Sequence, residues 1–199
     1  MHYLAHLGKD KKLKKLLRAQ SSFQLKKRSD IHVYLCASIM SQQLSVKVAE
    51  VIYQRFLNLY GGKKPSVLQI SNTPFELLRS IGLSNAKSQY VLNVAQFAAE
   101  YGLDGKKLKQ LDNEAVIAYV TQIKGVGRWT AEMLLMFALQ REDVFAADDL
   151  GIQTAMRHLY QLDNTDKKKF RQEIISISNR WAPYRSYACL HLWGWKDGA

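Results

Sequence analysis

The stretch "LDNEAVIAYVTQIKGVGRWTAEMLLMFALQREDVFAADD", Leu111–Asp149, joins two amphipathic runs through a pair of glycines and closes on two aspartates. Apolar residues recur at helical spacing on both sides of "IKGVGR". The spacing predicts helix, tight turn and helix over residues 112–139. Glycine at Gly125 and Gly127 permits positive φ and close backbone approach, so the turn can point its N–H groups outward. The first turn of the next helix adds further unpaired N–H groups and a positive dipole end. Donors so arranged suit one phosphate, with Lys124 and Arg128 beside it. Such a contact positions a nucleic acid without reading its sequence. An ordinary helix–helix turn with a glycine C-cap has the same spelling, and G-x-G alone does not decide between the two.

Asp148 and Asp149 stand where a further helix, "LGIQTAMRHLYQL", begins. One of them is expected to cap that helix, accepting from its first free N–H groups. The other can project into a cleft, and spacing does not say which.

Outward from this stretch, helical periodicity continues and strand alternation is scarce. "DIHVYLCASIMS" has Asp30 as N-cap, and "SVKVAEVIYQRFLNLYGG" has Ser45 as cap and Gly61–Gly62 as stop. "TPFELLRSIG" offers Thr73 as cap, Pro74 in the first turn and Gly82 as terminator. A helix from Ser84 ends before Gly102, and "TDKKKFRQEIISISNRWAP" and "YRSYACLHLWGW" complete the series. Three prolines, no repeat and no low-complexity linker fit an all-α fold with short connections.

Lys and Arg number 29 against 17 Asp and Glu, a formal net charge of +12, which favours a polyanionic partner such as nucleic acid. The runs "KDKKLKKLLR" and "DKKKFR" read as solvated helix faces that add salt-sensitive, non-specific affinity. Two distant cysteines, Cys36 and Cys189, exclude a site with four cysteine ligands and are expected to be buried thiols. No apolar run approaches the ~20 residues of a membrane helix, and no secretory signal is visible. The expectation is a soluble intracellular protein.

Taken with its flanks, the opening stretch resembles the helix-hairpin-helix DNA glycosylase superfamily, and within it the DNA-3-methyladenine glycosylase II family. The matching segments are "SIMSQQLSVKVA" (Ser38–Ala49), "IGLSNAKSQYV" (Ile81–Val91), the hairpin region and "WAPYRSYACLHLW" (Trp181–Trp193). The resemblance implies an all-α, two-lobed fold with the active-site cleft between lobes. It implies one domain over residues 1–199, without the additional N-terminal domain of some relatives; the first ~30 residues match no motif.

The resemblance places the catalytic carboxylate at Asp149, with Asp148 supporting or capping. Breaking a base–sugar bond develops positive charge on the deoxyribose, which a carboxylate in a water-poor cleft stabilises. The same group can orient or deprotonate the attacking water. An alkylated purine such as 3-methyladenine or 7-methylguanine is already cationic and departs without an acid, so one carboxylate suffices where sugar hydrolysis commonly uses two. Relatives that also cut the strand place a Schiff-base lysine two residues after the second hairpin glycine. Trp129 stands there, which implies release of the base alone.

A base must leave the duplex to be reached, and a cationic one stacks on aromatic faces. Trp129, Tyr184, Tyr187 and Trp193 are the candidates, although each could equally be core. The resemblance selects Trp129 and Trp193, with Met133 and Leu150 where a close relative has tyrosines. On the DNA side it points to Gly125, Val126, Gly127, Thr130, Lys124 and Arg128, and to Ser84 and Lys87 at a second helix start. Either Gln43 or Leu44, within "SQQLS" (Ser41–Ser45), would fill the vacated stack.

The implied partner is double-stranded DNA with alkylated bases, bound by a monomer without membrane, metal or organic cofactor. The compartment would be the cytoplasm of a bacterium or the nucleus of a eukaryote. Two alternatives stay open: a glycosylase for uracil, hypoxanthine or a mismatched base, and a non-catalytic DNA-binding module.

Overall fold

The computed structural model describes residues 2–25 and 30–198. Among these the chain forms thirteen α-helices and one 3-10 turn, with no strand. In chain order they are α1 (His2–Leu7), α2 (Lys11–Arg18), α3 (Ile31–Ser41), α4 (Val46–Asn58), α5 (Val67–Ser71), α6 (Phe75–Ser80) and α7 (Asn85–Glu100). Then follow α8 (Gly105–Gln110), α9 (Asn113–Val120), α10 (Arg128–Phe137), α11 (Leu150–Tyr160), α12 (Lys167–Ser178), the 3-10 turn Asn179–Trp181 and α13 (Arg185–Lys196). The chain divides into two compact units, one of Lys27–Leu139 and one that combines Met1–Lys26 with Gln140–Ala199.

In the continuous unit α7 is the hub, because α3, α5 and α6 all pack on it. Its inward face is Ser88, Val91, Val94, Ala95 and Phe97, met by Leu35, Cys36, Ile39 and Met40 of α3. The boundaries follow the caps. Ser45 accepts from Val48 N, Ser84 from Lys87 N and Asp112 from Ala115 N. Each such cap contributes about 1 kcal/mol. Asp30 stands at the N-cap position of α3 but makes no side-chain cap bond. Thr73 does not cap α6; its hydroxyl donates to Gln69 O, 2.8 Å, and Pro74 takes the N-cap position. The hydroxyl is engaged by Gln69 O and by Tyr60 Oη, 2.7 Å, and not by the free N–H groups of the next helix.

The discontinuous unit contains what the sequence left unplaced. Residues 2–25 form α1 and α2, and α2 packs on α11 and α13. Leu13, Leu16 and Leu17 of α2 are buried, each worth about 2 kcal/mol, while Lys11, Lys12, Lys14 and Lys15 are exposed. The Tyr3 ring stacks on Tyr187 at 4.0 Å, and its hydroxyl accepts from Phe23 N and donates to Phe23 O. Asp10 caps α2 and also accepts from Tyr160 Oη, 2.7 Å, and Trp181 Nε1, 3.3 Å. Burial works against its charge, yet these hydrogen bonds prevail and hold the carboxyl below the usual range. Gln20 reads both polar edges near His191, bonding its Nδ1 at 2.8 Å and its carbonyl at 3.2 Å.

Both cysteines are buried thiols outside any disulfide, and burial pushes the Cys36 thiol up to about 12. Among the described residues no helix is long and apolar enough to cross a membrane.

Candidate active site and nucleic-acid interface

The hairpin takes the predicted form. Asp112 caps α9, the turn runs through residues 121–127, and Gly127 is the N-cap of α10. Gly125 has φ +106°, and a Cβ there would lie 2.3 Å from Tyr90 Cγ, so glycine is required on two counts. Gly127 differs: its φ is −91° and a Cβ would meet nothing within 4 Å. No side chain caps α10. The open space therefore lies over the positive end of a ten-residue helix.

Two hairpin expectations are altered, those for Val126 and Arg128. Val126 faces inward, 5% exposed, and its N–H donates to Ile123 O, 2.9 Å. Thr130 is 2% exposed, so its side chain belongs to the core, and the expectation for it concerns its first-turn backbone N–H alone. Arg128 is held by carboxylates: its guanidinium grips Glu114 through two bonds, 2.9 and 2.5 Å, and Glu132 at 3.1 Å. The bond to Glu114 raises its pKa further, and the group serves as a strut between α9 and α10. Lys124 is exposed, as a phosphate partner must be.

The "SQQLS" turn links α3 to α4. Gln43 has φ +58° and is exposed, and Leu44 beside it is exposed as well. Lys87, expected on the DNA backbone, instead turns inward. Its ammonium donates to Met40 O, 3.0 Å, and Gln42 O, 2.6 Å, and burial lowers its pKa. It closes the C-terminus of α3 and props the turn that presents Gln43 and Leu44. Ser84 is the cap of α7. Gln42 reaches the hairpin, its Nε2 donating to Gly125 O at 3.5 Å, and Asn93 donates to Lys124 O at 3.1 Å. Sequence reasoning missed Gln42, Tyr90 and Asn93, which fix turn and hairpin together.

In the discontinuous unit Asp149 is the N-cap of α11. Its Oδ1 accepts from Ile152 N, 2.8 Å, and from Trp193 Nε1, also 2.8 Å. Asp148 is exposed and forms a two-pronged pair with Arg171, 2.6 and 3.0 Å. The expectation that one aspartate caps and the other serves the site is thus altered, since Asp149 is both the cap and the residue singled out. Capping fixes its χ angles, and the indole bond from α13 fixes them again. Gly151 belongs to the same arrangement, because a Cβ there would lie 3.0 Å from Asp149 Oδ1 and 3.1 Å from Trp193 Cδ1.

The segment leading to Asp149 is pinned to the start of α13. The buried Ser186 hydroxyl donates to Arg141 O, 2.6 Å, and accepts from Val144 N, 3.0 Å. Arg185 grips Asp143 at 2.7 and 2.8 Å, and Tyr187 Oη donates to Glu142 Oε1, 2.8 Å. Nothing between Ala138 and Asp149 is Gly or Pro, so these bonds supply the restraint on the loop. Tyr184 and Tyr187 thereby acquire a structural use. Tyr187 is buried against Tyr3, and Tyr184 meets His2 and His6 edge-on. Leu150, 79% exposed, is the first residue of α11.

Trp129 and Met133 belong to the continuous unit and line a recess of about 490 Å³ there. That size is ordinary for a small-molecule site, roughly 300–1,000 Å³. Its other walls include Tyr34, Tyr53, Phe137, Leu44 and Val46, with Glu50 as a charged member. The Tyr34 hydroxyl donates to Met133 O, 3.1 Å, which steadies one wall. Trp129 is 38% exposed, unusual for so large an apolar ring.

Residues 36–180 match the HhH-GPD superfamily of base excision DNA repair proteins, and the chain belongs to that superfamily. It is 33% identical over 191 residues to DNA-3-methyladenine glycosylase 1 of Schizosaccharomyces pombe, covering 94% of this chain and 82% of that one. A solved structure of a 3-methyladenine DNA glycosylase from the same yeast, in complex with abasic DNA, superposes with TM-score 0.89 at 31% identity. That match covers 100% of this chain and 98% of the other. The DNA-3-methyladenine glycosidase of Bacillus halodurans gives TM-score 0.86 at 32% identity, over 98% and 89% of the two chains.

Proposed function

We propose that the protein is a monofunctional DNA glycosylase of base excision repair. Its reaction is hydrolysis of the N-glycosidic bond of alkylated purines, such as 3-methyladenine and 7-methylguanine, in duplex DNA. The observation that carries this reading is the Asp149 carboxylate, whose Oδ1 is fixed by Ile152 N and Trp193 Nε1 at 2.8 Å each. The relatives named as 3-methyladenine glycosylases, one of them solved with abasic DNA, support it.

In the proposed reaction the C1′–N bond breaks and its electron pair leaves with the cationic base, which departs neutral. The sugar becomes oxocarbenium-like, and the fixed charge of Asp149 stabilises it without having to reorganise. Water then attacks C1′ and loses its proton to Asp149 or solvent, leaving an abasic deoxyribose. No side-chain amine is needed, and Trp129 occupies the position that a Schiff-base lysine would require. The hairpin takes one phosphate at the open face of Gly127, with Lys124 beside it. Trp129, on the wall of the recess in the continuous unit, offers an aromatic face to the extruded base, and Gln43 or Leu44, at the tip of an exposed turn, fills the gap it leaves.

The test is incubation with methylated duplex DNA and chromatography of the freed purines. Release of 3-methyladenine and 7-methylguanine is expected, with the DNA strand uncut. Asp149→Asn keeps an acceptor oxygen for Ile152 and Trp193 but removes the charge, so release should fall at least a hundredfold while DNA binding persists. Full activity in that variant would sink the assignment of Asp149. No release by the wild type would leave a DNA-binding module.

A further inference from the structure

The recess beside Trp129 is walled by Tyr34, Tyr53, Phe137, Met133 and Leu44, and among its described lining residues Glu50 is the one that bears a charge. Glu50 is exposed on α4, and its Oε1 accepts from Gln54 Nε2 at 2.8 Å, which orients the carboxylate. A protein of net charge +12 that binds a polyanion gains nothing in general affinity from a carboxylate on such a wall. The negative field reaches into the recess: the Tyr53 hydroxyl is pushed up first by burial and then by the charge of Glu50.

We propose that Glu50 is a specificity-determining residue, a counter-charge that makes this aromatic recess select positively charged purines over neutral ones. The inference rests on the glycosylase reading and deepens it. Aromatic faces attract a cationic base through their quadrupoles. A carboxylate on the same wall adds a direct Coulomb attraction that a neutral base does not feel. The normal bases of DNA, all neutral, then gain only stacking from the recess. Discrimination against them arises from charge, with no hydrogen-bond code.

Glu50→Gln tests this, because glutamine keeps the shape and still offers Gln54 an acceptor oxygen. Two measurements are made on wild type, Glu50→Gln and Glu50→Lys. One is kcat/KM for 7-methylguanine release from a duplex oligonucleotide. The other is affinity for the same duplex with an uncharged tetrahydrofuran abasic site. Glu50→Gln should lower kcat/KM about five- to tenfold and Glu50→Lys further, while tetrahydrofuran-duplex affinity stays constant or rises as the repulsion of phosphates is relieved. The opposed signs separate loss of a counter-charge from loss of fold or of DNA contact. Turnover within twofold of wild type in both variants would overturn the proposal, as would equal weakening of turnover and tetrahydrofuran-duplex binding. If the wild type itself frees no 7-methylguanine, the glycosylase reading falls, and this inference with it.

Discussion

Two helix starts in this molecule solve the same problem in opposite ways. At α10 the N-cap is Gly127, no side chain caps the helix, and the space where a Cβ would stand is open. At α11 the N-cap is Asp149, whose carboxylate accepts from Ile152 N within the chain. Both ends carry the positive pole of a helix dipole. The first carries no anion of its own, and the second does. One structural element serves both, and the choice of a single capping residue separates them.

The strongest way to break this contrast is to neutralise the second end. Asp149→Asn leaves the cap intact and should still cost at least a hundredfold in base release, with melting temperature and DNA affinity little changed. If the loss tracks melting temperature, Asp149 is a cap and nothing more.

The first end can be probed by its two glycines, which are not equivalent. Gly125→Ala forces a methyl against Tyr90 and a side chain into positive φ, and should destabilise by about 3 kcal/mol in urea unfolding. Gly127→Ala should cost about 1 kcal/mol or less. It should nevertheless weaken DNA binding about tenfold, because its methyl stands where a phosphate would approach. Similar stability losses for the two would erase the distinction.

A finer probe of the second end is Trp193→Phe, which keeps an aromatic face and deletes the indole donor to Asp149. Hydrogen bonds to charged groups are worth about 1.5–3 kcal/mol, so kcat should fall about tenfold or more. An unchanged kcat would mean that the cap alone positions the carboxylate.

The smallest effect separates two lysines. Lys124→Ala should reduce the salt dependence of DNA affinity by about one phosphate contact, whereas Lys87→Met should leave that slope unchanged. Lys87→Met should instead lower stability by about 1–2 kcal/mol, since Met40 O and Gln42 O lose their donor.

Sequence reading succeeded where the cause was local and stalled where partners came from afar. Ser45 and Ser84 were legible as helix starts because a cap and the N–H that donates to it lie three residues apart. Thr73 misled because its hydroxyl had a second local option in Gln69 O. The resemblance put Lys87 and Arg128 on the DNA side. The structure gives them Gln42 O and Glu114 as partners, which are set by how helices pack. Met1–Lys26 matched no motif, yet Tyr3, Asp10 and Gln20 tie this segment to helices that begin some 150 residues later. Glu50 had no signal at all, since one acid among the exposed residues of an amphipathic helix is unremarkable until a recess is seen beside it.

The sequence by itself determined the all-helical class, the glycine hairpin and the short list that contained Asp149. Helical period, capping and the turn chemistry of glycine act within a few residues and are written in the order of the letters. Only the tertiary structure decided that Asp149, and not Asp148, receives both Ile152 N and Trp193 Nε1. It also decided that Lys87 and Arg128 are struts, and that Glu50 stands on an aromatic wall. These are distances between side chains remote along the chain, and they come into being when the helices close on one another.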